Sequence, residues 1–191
     1  MPKEAPTPFF DTVAPRKYLL PAEIELLMNH ARKNSRYGHR DATMILITYR
    51  HGFRACEVCE LEWSMVELDQ GKLHVRRAKQ GSPSTHTLQG DEIRALRKLR
   101  RDNPTSSHVF ITERGGPFTT VGFNKLISRL GAKAAMPFPI HPHMLRHACG
   151  YALANARHDT RALAHWLGHK NMSNTMIYTQ LSADRFKNFW K

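Results

Sequence analysis

Two stretches near the carboxyl end carry the side chains with the most chemistry. Residues 141–147 read His-Pro-His-Met-Leu-Arg-His, and Leu167-Gly168-His169 precedes a tyrosine, Tyr178. Pro142 suits the first position of a helix, where its missing N–H has no partner to lose, so His143 falls in the first turn. His143 and Arg146 are three apart and point the same way on that helix. A helix start that adds a guanidinium and an imidazole to its own unpaired N–H groups is an anion pocket. A tyrosine brought to such a pocket has a phosphodiester as its target. His141 and His147 add imidazoles to the patch, and His169, just past the glycine that ends its helix, can turn its ring off the helix surface.

Two further features lie upstream. In Arg54-Ala-Cys-Glu57 an arginine stands at a helix entrance, where it can grip a phosphate with two parallel hydrogen bonds, and Glu57 one turn on can fix it. An ordinary surface pair is the plainer reading of those two residues alone. Lys79 sits at a hairpin tip and can reach outward as a mobile acid, although Lys72, Arg76 and Arg77 are nearby and a turn lysine is commonly just solvated. Arg76, Arg77, Arg94, Arg97, Lys98, Arg100 and Arg101 are candidates for contacts to backbone phosphates, with a solvated helix face as the alternative for the run from 94 to 101.

The elements that must position these groups follow from period and punctuation. A Pro-rich stretch, 1–17, reads as an arm or linker, and 18–191 as one folded unit. Pro21 opens a helix with Ile24, Leu27, Met28 and Ala31 on its apolar face, and a second helix spans about Asp41 to His51, stopped by Gly52. A short helix follows Arg54, through Leu61. The period then changes to that of strands at 65–68, 72–76 and 84–88, joined by turns at 69–71 and 80–83, which makes a small antiparallel sheet. A basic helix from Asp91 to Arg101 follows, then a possible strand at 109–112 and a helix to Ala134 capped by Thr119 or Thr120. The His-rich helix runs to about Ala156, Thr160 caps another that Gly168 stops, Ser173 caps the short helix bearing Tyr178, and 183–190 is amphipathic. The fold class is mainly α with one small three-stranded antiparallel sheet.

Composition narrows the partners. The chain has 191 residues and a net charge of +13, with 41% hydrophobic residues, so it is a folded basic protein and not a basic tail. A polyanion, nucleic acid first, is the expected partner. Cys56, Cys59 and Cys149 are too few for a disulfide framework, and Cys56-x-x-Cys59 lacks the second pair that a zinc site needs, so no metal or other cofactor is expected. There is no apolar run long enough for a membrane span and no signal-peptide core, which points to the cytoplasm, in association with the nucleoid.

Taken in order, Arg54, Lys79, His143-x-x-Arg146, His169 and Tyr178 resemble the constellation of the tyrosine recombinase (phage-integrase) catalytic domain. The wording of His51-Gly-Phe-Arg-Ala-Cys-Glu57, His141-Pro-His-Met-Leu-Arg-His147 and Leu167-Gly-His169 through Tyr178-Thr is most similar to the short recombinases that invert fimbrial promoter segments. The resemblance covers roughly residues 17 to 190. It implies site-specific cutting and rejoining of DNA through a 3′-phosphotyrosine, with Tyr178 as nucleophile, Arg54, Arg146 and His169 on the phosphate, His143 as base, Lys79 as leaving-group acid and Glu57 behind Arg54. It also implies duplex DNA with paired sites, a tetramer on DNA, accessory DNA-bending proteins, and a C-terminal segment with Phe186, Phe189 and Trp190 packed on its own domain or a neighbour's. The larger members carry a separate N-terminal DNA-clamping domain that is not expected here. Two rivals remain: a type IB topoisomerase-like enzyme that relaxes DNA, and a DNA-binding regulator that has the fold without the reaction.

Overall fold

The computed structural model describes residues 16–78 and 81–180. The elements follow in the order α1 (Pro21–Asn34), α2 (Gly38–His51), α3 (Ala55–Cys59), a 3-10 turn (Trp63–Met65), β1 (Val66–Glu67), β2 (Lys72–Val75), β3 (Ser84–Thr87), α4 (Gly90–Asp102), α5 (Thr120–Lys133), α6 (Pro142–Asn155), α7 (Thr160–Leu167) and α8 (Ser173–Gln180). This is the expected class, mostly helical with one small sheet.

Three helices begin with the same device. Glu23, Glu57 and Glu92 each stand at the third helical position and accept the N–H of the residue before the helix, Leu20 at 2.7 Å, Arg54 at 2.9 Å and Gln89 at 2.7 Å. Each bond satisfies a donor that the helix itself cannot pair. Asp159 caps α7 through two backbone N–H groups, Arg161 at 2.8 Å and Ala162 at 3.0 Å. Thr160, expected to be that cap, is the first helical residue instead; a carboxylate one residue earlier reaches the same donors.

Helix α2 is the spine of the molecule, with every residue from Asp41 to Thr48 buried. It packs on α1, α4 and α6. It begins at Gly38, three residues before the sequence pattern suggests, because Asp41 bonds back to Tyr37 and opens the first turn earlier. The main apolar core runs from Leu19 to Ala148, and a second cluster, Cys149, Ala154, Leu163, Leu167 and Tyr178, sits where α6, α7 and α8 meet. Cys59 and Cys149 are buried apolar side chains, whose thiols burial pushes up to about 12.

The sheet order is β1-β2-β3, antiparallel throughout, with Val66 opposite Leu73 and Leu73 opposite His86. Leu73, Val75 and His86 turn inward while Lys72, Thr85 and Thr87 face out. β1 is only two residues long, because the 3-10 turn takes Met65. Residues 109–112 form no strand. Val109 N–H bonds Leu61 C=O at 2.9 Å and Thr112 N–H bonds Gly116 C=O at 2.7 Å, so single bridges bind this segment to its neighbours in place of a ladder. Helix α3 ends at Cys59, two residues early, and Glu60 N–H closes it on Cys56 C=O. The amphipathic segment 183–190 lies outside the described residues.

Candidate active site

The site is organised around one buried carboxylate. Glu57, at the start of α3, accepts hydrogen bonds from Arg54 Nη1 at 2.5 Å, Arg77 Nη1 at 3.0 Å, and the N–H groups of Arg54 at 2.9 Å and Ala78 at 3.0 Å. Arg146 Nη1 lies 3.9 Å from the same carboxylate. Burial opposes the charged form of Glu57, but the Arg54 N–H and the guanidiniums of Arg77 and Arg54 outweigh it, and the carboxyl sits below its ordinary range. One anion therefore gathers three cations from the start of α3, the end of β2 and the middle of α6.

Arg146 is 1% exposed. It donates to the carbonyl of Gly52, and to that of Leu167 at 2.7 Å, which ties α6 to the ends of α2 and α7. Both carbonyls lie at helix termini, where the chain turns: Gly52 and Gly168 adopt φ of +59° and +65°, a region that glycine enters without strain. Burial, with Arg54 and Arg77 alongside, brings the Arg146 guanidinium down to about 10. It is still a cation at neutral pH, and it shares the Glu57 carboxylate with Arg54 and Arg77.

Tyr178 is 2% exposed and stands among these groups in the same chain. Its hydroxyl is 3.0 Å from His147 Nδ1. Its ring lies nearly parallel to that of His169, at 6.4 Å and 11°, and edge-on to Tyr151, at 5.1 Å and 88°. A Cβ on Gly150 would stand 2.5 Å from its Cζ, so the tyrosine lies on bare α6 backbone. Burial pushes the phenol up to about 12, against the pull of Arg146. His169, held by Thr175 Oγ1 at 2.9 Å, is brought down to about 4 by burial and by Arg146 and Arg54. Tyr178 is thus a protonated phenol, packed in the core, beside a cationic pocket.

The fold brings together Arg54, Glu57, Arg146, His169 and Tyr178. His143 belongs to the same helix but exposes its ring, which meets the His147 ring edge-on at 4.5 Å. The imidazole on the phenol is that of His147, which the sequence offered only as an extra member of the patch. The signal was there: in His143-Met-Leu-Arg146-His147, residue 147 is one turn from both His143 and Gly150. Lys79 lies outside the described residues.

Arg77 is a correction. Expected on the surface as a phosphate contact, its side chain is fully buried, bonded to Glu57, to His51 C=O at 3.0 Å, to Gly52 C=O at 3.3 Å and to Trp166 C=O. Its Nε is buried with no hydrogen-bond partner among the described residues. Four acceptors from α2, α3 and α7 converge on this one fork, so it braces the site from beneath. Arg76, Arg94, Arg97, Lys98 and Arg101 do face solvent. Arg97 pairs with Asp69 at 3.2 Å.

Behind Arg77 lies a second polar chain, also missed from sequence. Glu92 Oε1 accepts from His51 Nε2 at 3.0 Å, His51 Nδ1 meets His86 Nδ1 at 3.0 Å, and His86 Nε2 meets Ser84 Oγ at 2.9 Å. With Glu92 as the anion, the chain reads consistently with both rings neutral. Trp166 stacks on His86 at 3.6 Å. This chain fixes the hairpin against α2, α4 and α7. Among the described residues, no group of three or more His, Cys, Asp or Glu is placed to hold a metal ion, and no helix is long and apolar enough to cross a membrane.

A model described as the phage integrase family matches residues 17–185. The type 1 fimbriae regulatory protein FimB of Escherichia coli (strain K12) is 38% identical over 180 residues, covering 92% of this chain and 90% of FimB. Tyrosine recombinase XerC of Bacillus subtilis (strain 168) is 32% identical over 181 residues, with 90% of this chain matching 59% of XerC. The Tn1549 transposon integrase, solved in complex with transposon right end DNA, superposes with a TM-score of 0.75 at 20% identity, over 88% of this chain and 63% of that one.

Proposed function

The chain belongs to the phage integrase family, and from that premise we propose that it is a site-specific DNA recombinase, cutting and rejoining strands through a phosphotyrosine at Tyr178. One observation carries this reading: Tyr178 and Arg146, far apart in sequence, are packed together with Arg54, His169 and the Glu57 carboxylate in a single chain. A tyrosine is not needed beside buried arginines merely to hold DNA.

The chemistry follows from charge. As the phenolic oxygen attacks, negative charge gathers on the non-bridging phosphate oxygens, and Arg54 and Arg146 donate there, with His169 as a further donor. Glu57 and Arg77 hold these arginines in place. The phosphotyrosine ester keeps the energy of the broken bond, so religation needs no nucleotide. Lys79, which follows β2 in sequence, protonates the departing 5′-oxygen. Arg76 and the exposed cations of α4 contact backbone phosphates. We assign paired sites in duplex DNA as substrate, a tetramer on DNA as the working form beside the nucleoid, accessory DNA-bending proteins as helpers, and inversion or integration of a segment as outcome. The similarity to tyrosine recombinase XerC supports the recombinase part of this assignment.

The test uses a duplex nicked next to the cleavage point, built on the site that the native protein occupies in genome-wide binding. The native chain should form a covalent protein–DNA adduct, and Tyr178→Phe should form none while binding the same DNA. Adduct from Tyr178→Phe would remove the nucleophile assignment. Specific binding with no adduct from the native chain would favour the regulator reading, which the word "regulatory" in the FimB name keeps in view. Linking-number change in a plasmid without paired sites would favour the relaxing enzyme.

A further inference from the structure

We propose that His147, not His143, takes the proton of Tyr178 as the phenolic oxygen attacks phosphorus. The inference rests on the recombinase reading above and names a further catalytic residue within it.

The geometry is specific. The phenol is located on several sides, by the bare backbone of Gly150, the edge of Tyr151 and the face of His169. With the ring so placed, its hydroxyl lies 3.0 Å from His147 Nδ1, within hydrogen-bond reach. His147 follows Arg146 directly, so one turn of α6 supplies both a phosphate donor and a group on the attacking oxygen. An acceptor at Nδ1 requires the tautomer with its proton on Nε2. His143 is exposed and meets the His147 ring edge-on, away from the phenol contact that the structure gives to His147.

The charges around His147 suit an acceptor that is neutral at rest. His143 and Arg146 face it from its own helix, His141 from the residue before that helix, Lys17 from the segment before α1, His169 from beyond α7 and Tyr178 from α8. Burial and these cations bring the imidazole down to about 4, while the phenol sits up at about 12. With the phenol pushed up by burial, Tyr178 is protonated in the resting protein. The proton leaves only as the new P–O bond forms and the oxygen loses its basicity. The balance is then complete. The bond from Tyr178 oxygen to phosphorus forms and the bond from phosphorus to O5′ breaks. The phenolic proton passes to His147 Nδ1, and O5′ is protonated by the acid assigned to Lys79. Religation runs each transfer backwards.

The experiment compares the native protein, His147→Asn and His143→Asn, each with tyrosine or a more acidic fluorotyrosine at position 178, on the nicked duplex described above. Asparagine keeps an acceptor near Nδ1 but is not a base. His147→Asn should form adduct about a hundredfold more slowly. Fluorination should restore much of that loss in His147→Asn and little in His143→Asn. Native rates in His147→Asn, or an equal gain from fluorination in all three proteins, would overturn the proposal and leave the recombinase reading intact. No adduct from the native chain would remove that reading and this inference together. Ring-nitrogen NMR of the native chain without DNA is a check that needs no activity. It should show His147 unprotonated at Nδ1, and Tyr178→Phe should raise the pKa of His147, because the phenol donates to the neutral ring. A proton on Nδ1 in the native chain would also overturn the proposal.

Discussion

Arg76 and Arg77 are neighbours in sequence with opposite fates. Both were candidates for phosphate contacts, and residues that follow one another along extended chain face opposite ways. Arg76 meets solvent, while Arg77 fills the space beneath the site and holds Glu57 and three carbonyls. Composition cannot tell which of two adjacent arginines turns inward. Arg77→Lys loses the planar fork that reaches several acceptors at once. It should lower stability by about 3 kcal/mol, the upper scale for a buried acceptor left without its donor, as read by urea denaturation. Because Arg77 is buried, the salt dependence of DNA binding should not change in this variant. A shallower salt slope would return Arg77 to the DNA interface.

At the scale of elements, the helices were legible where an apolar stripe and a cap agreed. The face of α1 is Ile24, Leu27, Met28 and Ala31, the set its spacing implies. The ends were less legible, because bonds from elsewhere set them: Asp159 in place of Thr160 at α7, and single bridges in place of a strand after Ser107. Gly52 shows what a terminus contributes. It ends α2 with a left-handed residue, and its carbonyl accepts from both Arg77 and Arg146. An added Cβ would stand 2.5 Å from Leu167 Cδ2. Gly52→Ala should therefore cost at least about 1 kcal/mol of stability from backbone strain alone. It should also slow adduct formation, because the carbonyl that aims Arg146 must move. Unchanged denaturation midpoint and rate would show that the corner tolerates a side chain.

For the whole molecule, two behaviours follow from where its charge lies. Burial holds His86 at about 2 and helps bring His147 and His169 to about 4, whereas an unfolded histidine titrates near 6.5. Below about pH 6.5 the unfolded chain binds protons that the folded chain refuses, so stability must fall as pH falls. The window is about pH 6.5 down to 4, and each such imidazole adds a slope of up to about 1.4 kcal/mol per pH unit. The lowered carboxyl of Glu57 acts in the same direction further down. Urea midpoints measured from pH 7 to pH 4 check this; a flat profile would mean that these rings are not buried neutral. The second behaviour concerns the exposed cations of α4. Arg94→Ala with Lys98→Ala should make the log–log salt slope of DNA binding shallower by about 1.8, at about 0.9 per phosphate contact. No change would leave α4 facing solvent.

The sequence alone was enough for the class of fold and for naming Arg54, Glu57, Arg146, His169 and Tyr178, which the fold brings together. These depend on residue type, local period and order along the chain, which one dimension records. It could not choose between His143 and His147 at the phenol, nor turn Arg77 inward, nor join His51, His86 and Glu92 into one buried chain. Each of those choices is made by contacts between α2, the hairpin, α6, α7 and α8. Burial removes water as a competing partner, so which group a side chain meets is decided only once distant elements have closed around it.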